Sequence, residues 1–288
     1  MFCINLCEIY SPFFMKNNNL DVFLTTVSQN EEQSIKRLYM GSSFCSQYYL
    51  NMSGYENIFK YCAKQQIHVT LTIPVFTEKD ICLGKRKTEE ICRKGADVID
   101  EITVNDIGML SFLQNRYQYH FNLGRLFFRD PRDCRIPEYT RKCVSPMLLS
   151  QLTDDYWKSF KISFVELDPT NAIIDTSCIE KTDINVGIHL PYCYMTTGNI
   201  CKFASIHQEV QHKFRPNMQC KMECIHISDI YSGHVSQTNC NPILNRFGRT
   251  LYFEVGAIEF VGKKAIREIY FPVKEWREFV YGNIGSSK

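Results

Sequence analysis

Ile67-His68-Val69-Thr70-Leu71-Thr72-Ile73-Pro74-Val75 alternates β-branched residues and reads as a strand. Thr77 follows as a helix N-cap with acidic residues in the first turn, and the pattern stays helical to Lys94. Gly95 closes that helix, and Val98-Ile99-Asp100-Glu101-Ile102-Thr103-Val104 is the next strand. A strand, a crossover helix and a second strand make a βαβ unit, which pairs its strands in parallel.

Outward from this unit the pattern repeats. Upstream, Asp21 to Val27 and Arg37 to Phe44 read as strands and Glu56 to Gln65 as a helix. Downstream, Asn105-Asp106 opens a helix through Leu113, and Tyr119 to Leu123 is a strand. Val144 to Ser159 reads mostly as helix, entered through Ser145-Pro146. Ile162 to Leu167 is a strand, Pro169 to Cys178 a short helix, and Ile184 to Leu190 a strand. Late in the chain, Thr250 to Val255 and Glu268 to Val273 read as strands and Val273 to Tyr281 as a closing helix.

Seven or eight such units favour an α/β TIM-like barrel, complete or one unit short, over an open doubly wound sheet. No glycine-rich nucleotide loop follows the first strand, which counts against a dinucleotide fold. No linker rich in Pro, Gly or Ser divides the chain. The expectation is one domain over residues 1–288, with a cysteine-bearing insertion at about 191–249.

The 288 residues carry a formal net charge of +2, so no overall field points to nucleic acid or an anionic membrane. No apolar run is long enough for a membrane span, and Met1 to Cys7 lacks the basic start and cleavage site of a signal peptide. The 14 cysteines are the outlier. In a chain this large, with apolar residues enough for a core and no export signal, they read as reduced thiols of a cytoplasmic protein, a few of them ligands.

The thiols concentrate in one stretch. His189-Leu190-Pro191-Tyr192-Cys193-Tyr194-Met195-Thr196-Thr197-Gly198-Asn199-Ile200-Cys201 is followed by the C-x3-C pair Cys220-Lys221-Met222-Glu223-Cys224. Thiolates gathered where a strand ends suit a soft metal centre, an iron-sulfur cluster or zinc. Zinc sites are usually built from two close pairs, and one is evident here, so zinc is the structural alternative. In a barrel, the loops at the carboxyl ends of the strands carry the chemistry. Cys45, Asn105-Asp106, the segment from Arg125, Glu166-Asp168 and Cys193 to Cys201 all fall at such ends.

Tyr39-Met40-Gly41-Ser42-Ser43-Phe44-Cys45-Ser46, Val104-Asn105-Asp106-Ile107-Gly108, Val165-Glu166-Leu167 and the His189-Leu190-Pro191 to Cys201 segment occur in the order found in a known family. Over roughly Asp21 to Cys224 the chain resembles the collagenase-like peptidase U-thirty-two family, closest to its UbiV-like branch. The resemblance implies a barrel that binds a 4Fe-4S cluster through Cys45, Cys201, Cys220 and Cys224. It also implies a part in oxygen-independent (anaerobic) hydroxylation in ubiquinone biosynthesis, as one half of a heterodimer with a second, UbiU-like family member. Prephenate would be the oxygen donor and a quinone precursor or RNA the acceptor. The gap between Cys201 and Cys220 is longer than in the close relatives, and Cys193 is an additional thiol where the UbiU-like relatives carry a ligand. An alternative set is therefore Cys193, Cys201, Cys220 and Cys224 (or Cys240), with Cys45 spare.

Other groups invite chemistry. Arg125, Arg129, Arg132, Arg135 and Arg141 share one stretch with Phe127, Phe128 and Tyr139, and guanidinium forks suit carboxylates or phosphates. Arg125, Arg129 and Arg132 are the candidates for a small-molecule substrate, with pairing to Asp130, Asp133 and Glu138 as the bland alternative. Glu166 and Asp168 are candidates for acid–base work or for capping the next segment. His189 is a candidate partner of substrate or sulfur, or a satisfied structural histidine. His207, His212, His226 and His234 lie near the late cysteines without regular ligand spacing. No Gly-x-Ser-x-Gly elbow or His-Glu-x-x-His motif is present, so nothing identifies a peptidase nucleophile or catalytic zinc.

Overall fold

Eight strands of this chain meet edge to edge, each parallel to both neighbours. The computed structural model describes residues 1–9, 14, 19–128, 149–153, 155–169, 173–216, 218, 220–225, 229–232, 243–255 and 258–285. The chain begins with β1 (Phe2–Asn5), α1 (Asn19–Asn30), β2 (Arg37–Gly41), α2 (Ser46–Asn51) and α3 (Tyr55–Gln65). There follow β3 (His68–Ile73), α4 (Ile81–Lys94), β4 (Ile99–Val104), α5 (Ile107–Gln114) and β5 (His120–Leu123). Then come α6 (Asp155–Lys158), β6 (Ile162–Leu167), β7 (Ile174–Asp175) and β8 (Asn185–Leu190). The last third holds β9 (Tyr192–Thr197), β10 (Asp229–Ser232), β11 (Ile243–Phe247), β12 (Thr250–Glu254), β13 (Phe260–Val261), β14 (Arg267–Tyr270) and α7 (Val273–Gly285).

The strands close in the order β1-β14-β8-β6-β5-β4-β3-β2. This is a closed eight-stranded parallel barrel of the TIM-like kind. The expected strands from β2 to β8 hold. Of the helix expected over Val144 to Ser159, residues 144–148 and 154 lie outside the described residues, and what is described is a 3-10 helix (Leu149–Thr153) and the short α6. Two further expectations are corrected. Asp21 to Val27 is not a strand but lies within α1, where Leu20, Phe23, Leu24 and Val27 are buried. Their i, i+3, i+4, i+7 spacing is the helical period, and it outweighs the β-branched content of the run. The first strand is instead Phe2–Asn5, buried at all four positions, which pairs with both β14 and β2. It is too short to show a period, and strands covered on both faces do not alternate. Pro169 to Cys178 is likewise not a helix where described. Ile174–Asp175 pairs in parallel with Phe260–Val261, and only Ser177–Ile179 makes a single 3-10 turn.

Two smaller differences matter for the site. Helix α4 starts at Ile81 rather than Thr77, because Thr77 and Asp80 are taken up in a preceding turn, where the Thr77 hydroxyl donates to Asp80 (3.0 Å). Beyond Leu190 the chain does not stay in a loop. It re-enters extended structure as β9 and joins a four-stranded antiparallel sheet, β10-β11-β12-β9. Among the described residues no helix is long and apolar enough to cross a membrane.

Helices pack the outside. Phe23 of α1 meets Phe279 of α7 with ring centroids 5.6 Å apart, and Phe14 lies 5.0 Å from Phe23. This contact brings the last helix back over the first, beside the seam where β1 and β14 pair. Burying one such side chain contributes about 1.5–3 kcal/mol.

The inside is polar. Arg267 on β14 and Glu101 on β4 stand four places apart on the ring, so their bidentate pair (2.7 and 2.8 Å) crosses the barrel. Arg37 makes a second bidentate pair with Asp100 (2.5 and 2.9 Å), and Asn122 and Thr70 each donate to Glu101 (3.1 Å). Arg267 also lies flat over Phe164, 3.7 Å from its centroid. Burial pushes the Glu101 carboxyl up, but the Arg267 guanidinium outweighs it and holds the carboxyl down at about 2. These residues sit at the amino-terminal ends of their strands and leave the opposite mouth to other groups.

Candidate metal centre

The loop after β2 is built around one carboxylate. Gly41 has φ +111°, and a Cβ there would lie 2.1 Å from the Thr72 carbonyl oxygen, so only glycine lets β2 pass β3 at this point. Glu8, itself at φ +64°, accepts from the Ser42 hydroxyl (2.7 Å), the Ser43 N–H (2.7 Å) and the Phe44 N–H (3.2 Å). Ser42 in turn accepts the Cys45 N–H (2.8 Å). Burial raises the Glu8 carboxyl against these bonds. Cys45 is thereby fixed as the N-cap of α2. Its sulfur accepts from the Tyr48 N–H (3.4 Å) and from Nε of Arg249 (3.2 Å).

Three later cysteines gather around it. The Cys201 sulfur is approached by the backbone N–H groups of Ala204 and Phe203, and the Cys220 sulfur accepts the Met222 N–H (3.2 Å). Cys224 is buried beneath the β11–β12 turn, where a Cβ on Gly248 would come 3.8 Å from its sulfur. Burial raises all three thiols, Cys220 to about 11 and Cys224 further, and negative charge on Cys45 raises each of them again. Cys220 and Cys201 also raise Cys224, so the four sulfurs share one electrostatic neighbourhood. Thiols so placed resist ionisation, and a bound cation would favour their thiolates.

Among the described residues, no three His, Cys, Asp or Glu side chains converge closely enough for a single metal ion. At a zinc–sulfur distance of about 2.3 Å, tetrahedral sulfurs stand roughly 3.8 Å apart. His207 is paired with Glu223, its Nδ1 2.6 Å from the carboxylate.

Cys193 lies elsewhere. It is on β9, buried with Leu251, Phe253 and Val255 in a separate apolar cluster, and its thiol donates to the Tyr194 carbonyl (3.5 Å). Cys240 lies outside the described residues.

The remaining candidates divide between mouth and interior. Arg125 is buried and donates to Asp168 through Nε (2.8 Å) and Nη2, and to the Tyr192 carbonyl (3.0 Å). The rings of Phe44, Tyr194 and Tyr252 surround its guanidinium at 5.2–5.7 Å. Burial works against the charge, and Asp168 overcomes it. The pair therefore clamps the small sheet onto the mouth, with Asp168 committed to Arg125. Arg129, Arg132, Arg135 and Arg141 lie outside the described residues.

Glu166 and His189 face each other inside the barrel, Oε2 to Nε2 at 3.1 Å. The other oxygen of Glu166 accepts from the Thr103 hydroxyl (2.5 Å). Burial raises Glu166 to about 7 and pushes His189 well below its usual value, so the imidazole is neutral. Both are buried to within 2% of full enclosure, each at the fifth of six positions of its strand. Asp106 caps α5, its carboxylate accepting the Met109 N–H (2.8 Å), and Asn105 ties β3 to the loop after β5.

The sequence offered no sign of Glu8 or Arg249. They reach Cys45 from 37 positions before it and 204 after it, and no local pattern marks either.

No family model matches this chain, and neither do any curated proteins or solved structures.

Proposed function

We propose that this is an iron-sulfur protein in which Cys45, Cys201, Cys220 and Cys224 hold a 4Fe-4S cluster at the carboxyl-terminal mouth of the barrel. The observation that carries the reading is the shared neighbourhood of four sulfurs from three distant segments, three of them held by N–H donors or by Arg249. The donor set fits such a group. It is all thiol, with N–H donors on Cys45, Cys201 and Cys220. When bound, the cluster supplies one-electron chemistry at a site whose potential the protein sets.

The chain's own groups frame that site. Glu8 and Ser42 hold the Cys45 loop, and Arg125 with Asp168 fastens the small sheet against it. A cleft of about 460 Å3 beside the thiols is lined by Thr196, Thr197, Asn199, Lys202, Phe214 and Arg249, and is open to a small molecule. The family resemblance of the loop motifs supports oxygen-independent hydroxylation of a quinone precursor, with RNA as the other acceptor, in the cytoplasm. Anaerobic purification followed by iron and sulfide assay tests the cluster. The expected result is a brown protein with about four irons per chain, lost in C201A and C224A. A wild-type chain that stays colourless and iron-free after reconstitution overturns it.

One observation favours a second reading, a non-catalytic partner in a heterodimer with another family member. Ile200, Ile206, Val210 and Phe214 are all exposed, Val210 at 86%, on the segment that carries Cys201. Co-purification with such a partner, with activity only in the pair, selects this reading.

A further inference from the structure

Residues β11, Gly248, Arg249 and β12 form a two-residue hairpin, Phe247 pairing with Thr250. Gly248 takes φ +55°, as the first position of a II′-type turn requires. The turn delivers Arg249 to the thiols, and its side chain is only 7% exposed. Nε donates to the Cys45 sulfur (3.2 Å), while Nη1 donates to the Gly198 carbonyl (3.4 Å) and the Asn199 side-chain oxygen (3.2 Å). Gly198 and Asn199 immediately precede the Ile200-Cys201 segment. One planar group therefore spans two stretches that each bring a thiol, from opposite halves of the chain. Among the described residues no carboxylate pairs with it, so its charge is left facing sulfur.

We propose that Arg249 is a positioning residue that ties the Cys45 loop to the Cys201 loop and sets the electron affinity of the centre they hold. The proposal rests on the cluster reading above. A buried cation bonded to a ligand sulfur favours the more negative, reduced state and raises the reduction potential. Little salt reaches the site to screen that effect. The fork geometry matters as much as the charge, because a lysine presents a single point and cannot span sulfur and both oxygens. Arg249 also forms part of the wall of the cleft, so anything that enters the cleft meets the guanidinium at the edge of the thiol set.

The test uses the full chain loaded anaerobically with iron and sulfide, as wild type, R249K and R249Q. Midpoint potential is read by redox titration and iron release by a chelator. R249Q is expected at a lower potential than wild type, with iron lost about tenfold faster. R249K is expected near the wild-type potential but with faster iron release. An R249Q centre at the wild-type potential overturns the proposal, as does an R249K protein identical to wild type in both readouts. If R249Q folds, by circular dichroism, but takes up no iron, restored uptake in R249K supports the proposal and its absence overturns it. A wild-type chain that binds no iron removes the cluster reading and this inference together.

Discussion

The two ends of the barrel bury ionisable groups in opposite ways. At the amino-terminal end, Arg37 and Arg267 meet Asp100 and Glu101, and charge cancels within the protein. At the carboxyl-terminal mouth, Cys45, Cys201, Cys220 and Cys224 crowd groups that disfavour one another's ionisation, with Arg249 against one of them. The first arrangement is complete as it stands and acts on stability. The second holds its thiols protonated in the metal-free chain, and a bound cation would favour their thiolates. The same division of labour between the faces of a barrel is general, with conservation of structure below and chemistry above.

The largest expected effect breaks the upper end alone. Serine at Cys201, Cys220 or Cys224 should abolish cluster absorbance, while the melting of the iron-free chain moves by about 1 kcal/mol or less. A variant that keeps its full iron content would remove that cysteine from the ligand set. Next comes the lower end. E101Q leaves two buried guanidiniums short of a charge and should cost about 3–5 kcal/mol in denaturant unfolding, with iron per folded chain unchanged. Iron loss in proportion to destabilisation would show that the two ends are not independent.

Glu166, buried inside the barrel near the carboxyl-terminal end of β6, is a third case. Its carboxyl is raised from 4.5 to about 7 in the fold, so its contribution to stability is present below about 4.5 and is lost as pH rises through about 7. His189 runs the other way, since an imidazole held neutral costs stability as pH falls below its ordinary value. The difference between E166Q and wild type isolates the glutamate. The variant should gain on wild type by on the order of 2 kcal/mol as pH rises from 5 to 8. A pH-independent difference would mean that Glu166 is ionised throughout. The smallest effect is C193A, expected to cost about 1 kcal/mol of packing in the small sheet without loss of iron. Iron loss there would restore Cys193 as a ligand.

Much of the barrel was legible because βα units carry their information locally. His68–Ile73 and Ile99–Val104 are short runs rich in β-branched residues, Ile81–Lys94 buries one face of a helical period, and Gly95 and Asp106 mark helix ends by capping. Closure was not legible in the same way. Phe2–Asn5 gains its identity from pairing with Arg267–Tyr270, some 265 residues away, and nothing in four apolar residues announces that partner. The misplacement of Asp21–Val27 follows from the same limit, since β-branched residues favour a strand until a packed helical face overrides them.

The cysteine positions were visible in the chain, and spacing alone singled out Cys220 and Cys224 as a pair. Which thiols keep company was settled by folding. Cys45 arrives through a loop pinned by Glu8, Arg249 through a hairpin, and Cys193 is turned into another layer by its place on β9. The amino-acid sequence by itself determined the alternating units and supplied the thiols. The tertiary structure decided which of them meet, because hydrogen bonds and charges across dozens to hundreds of residues form only once the sheet has closed.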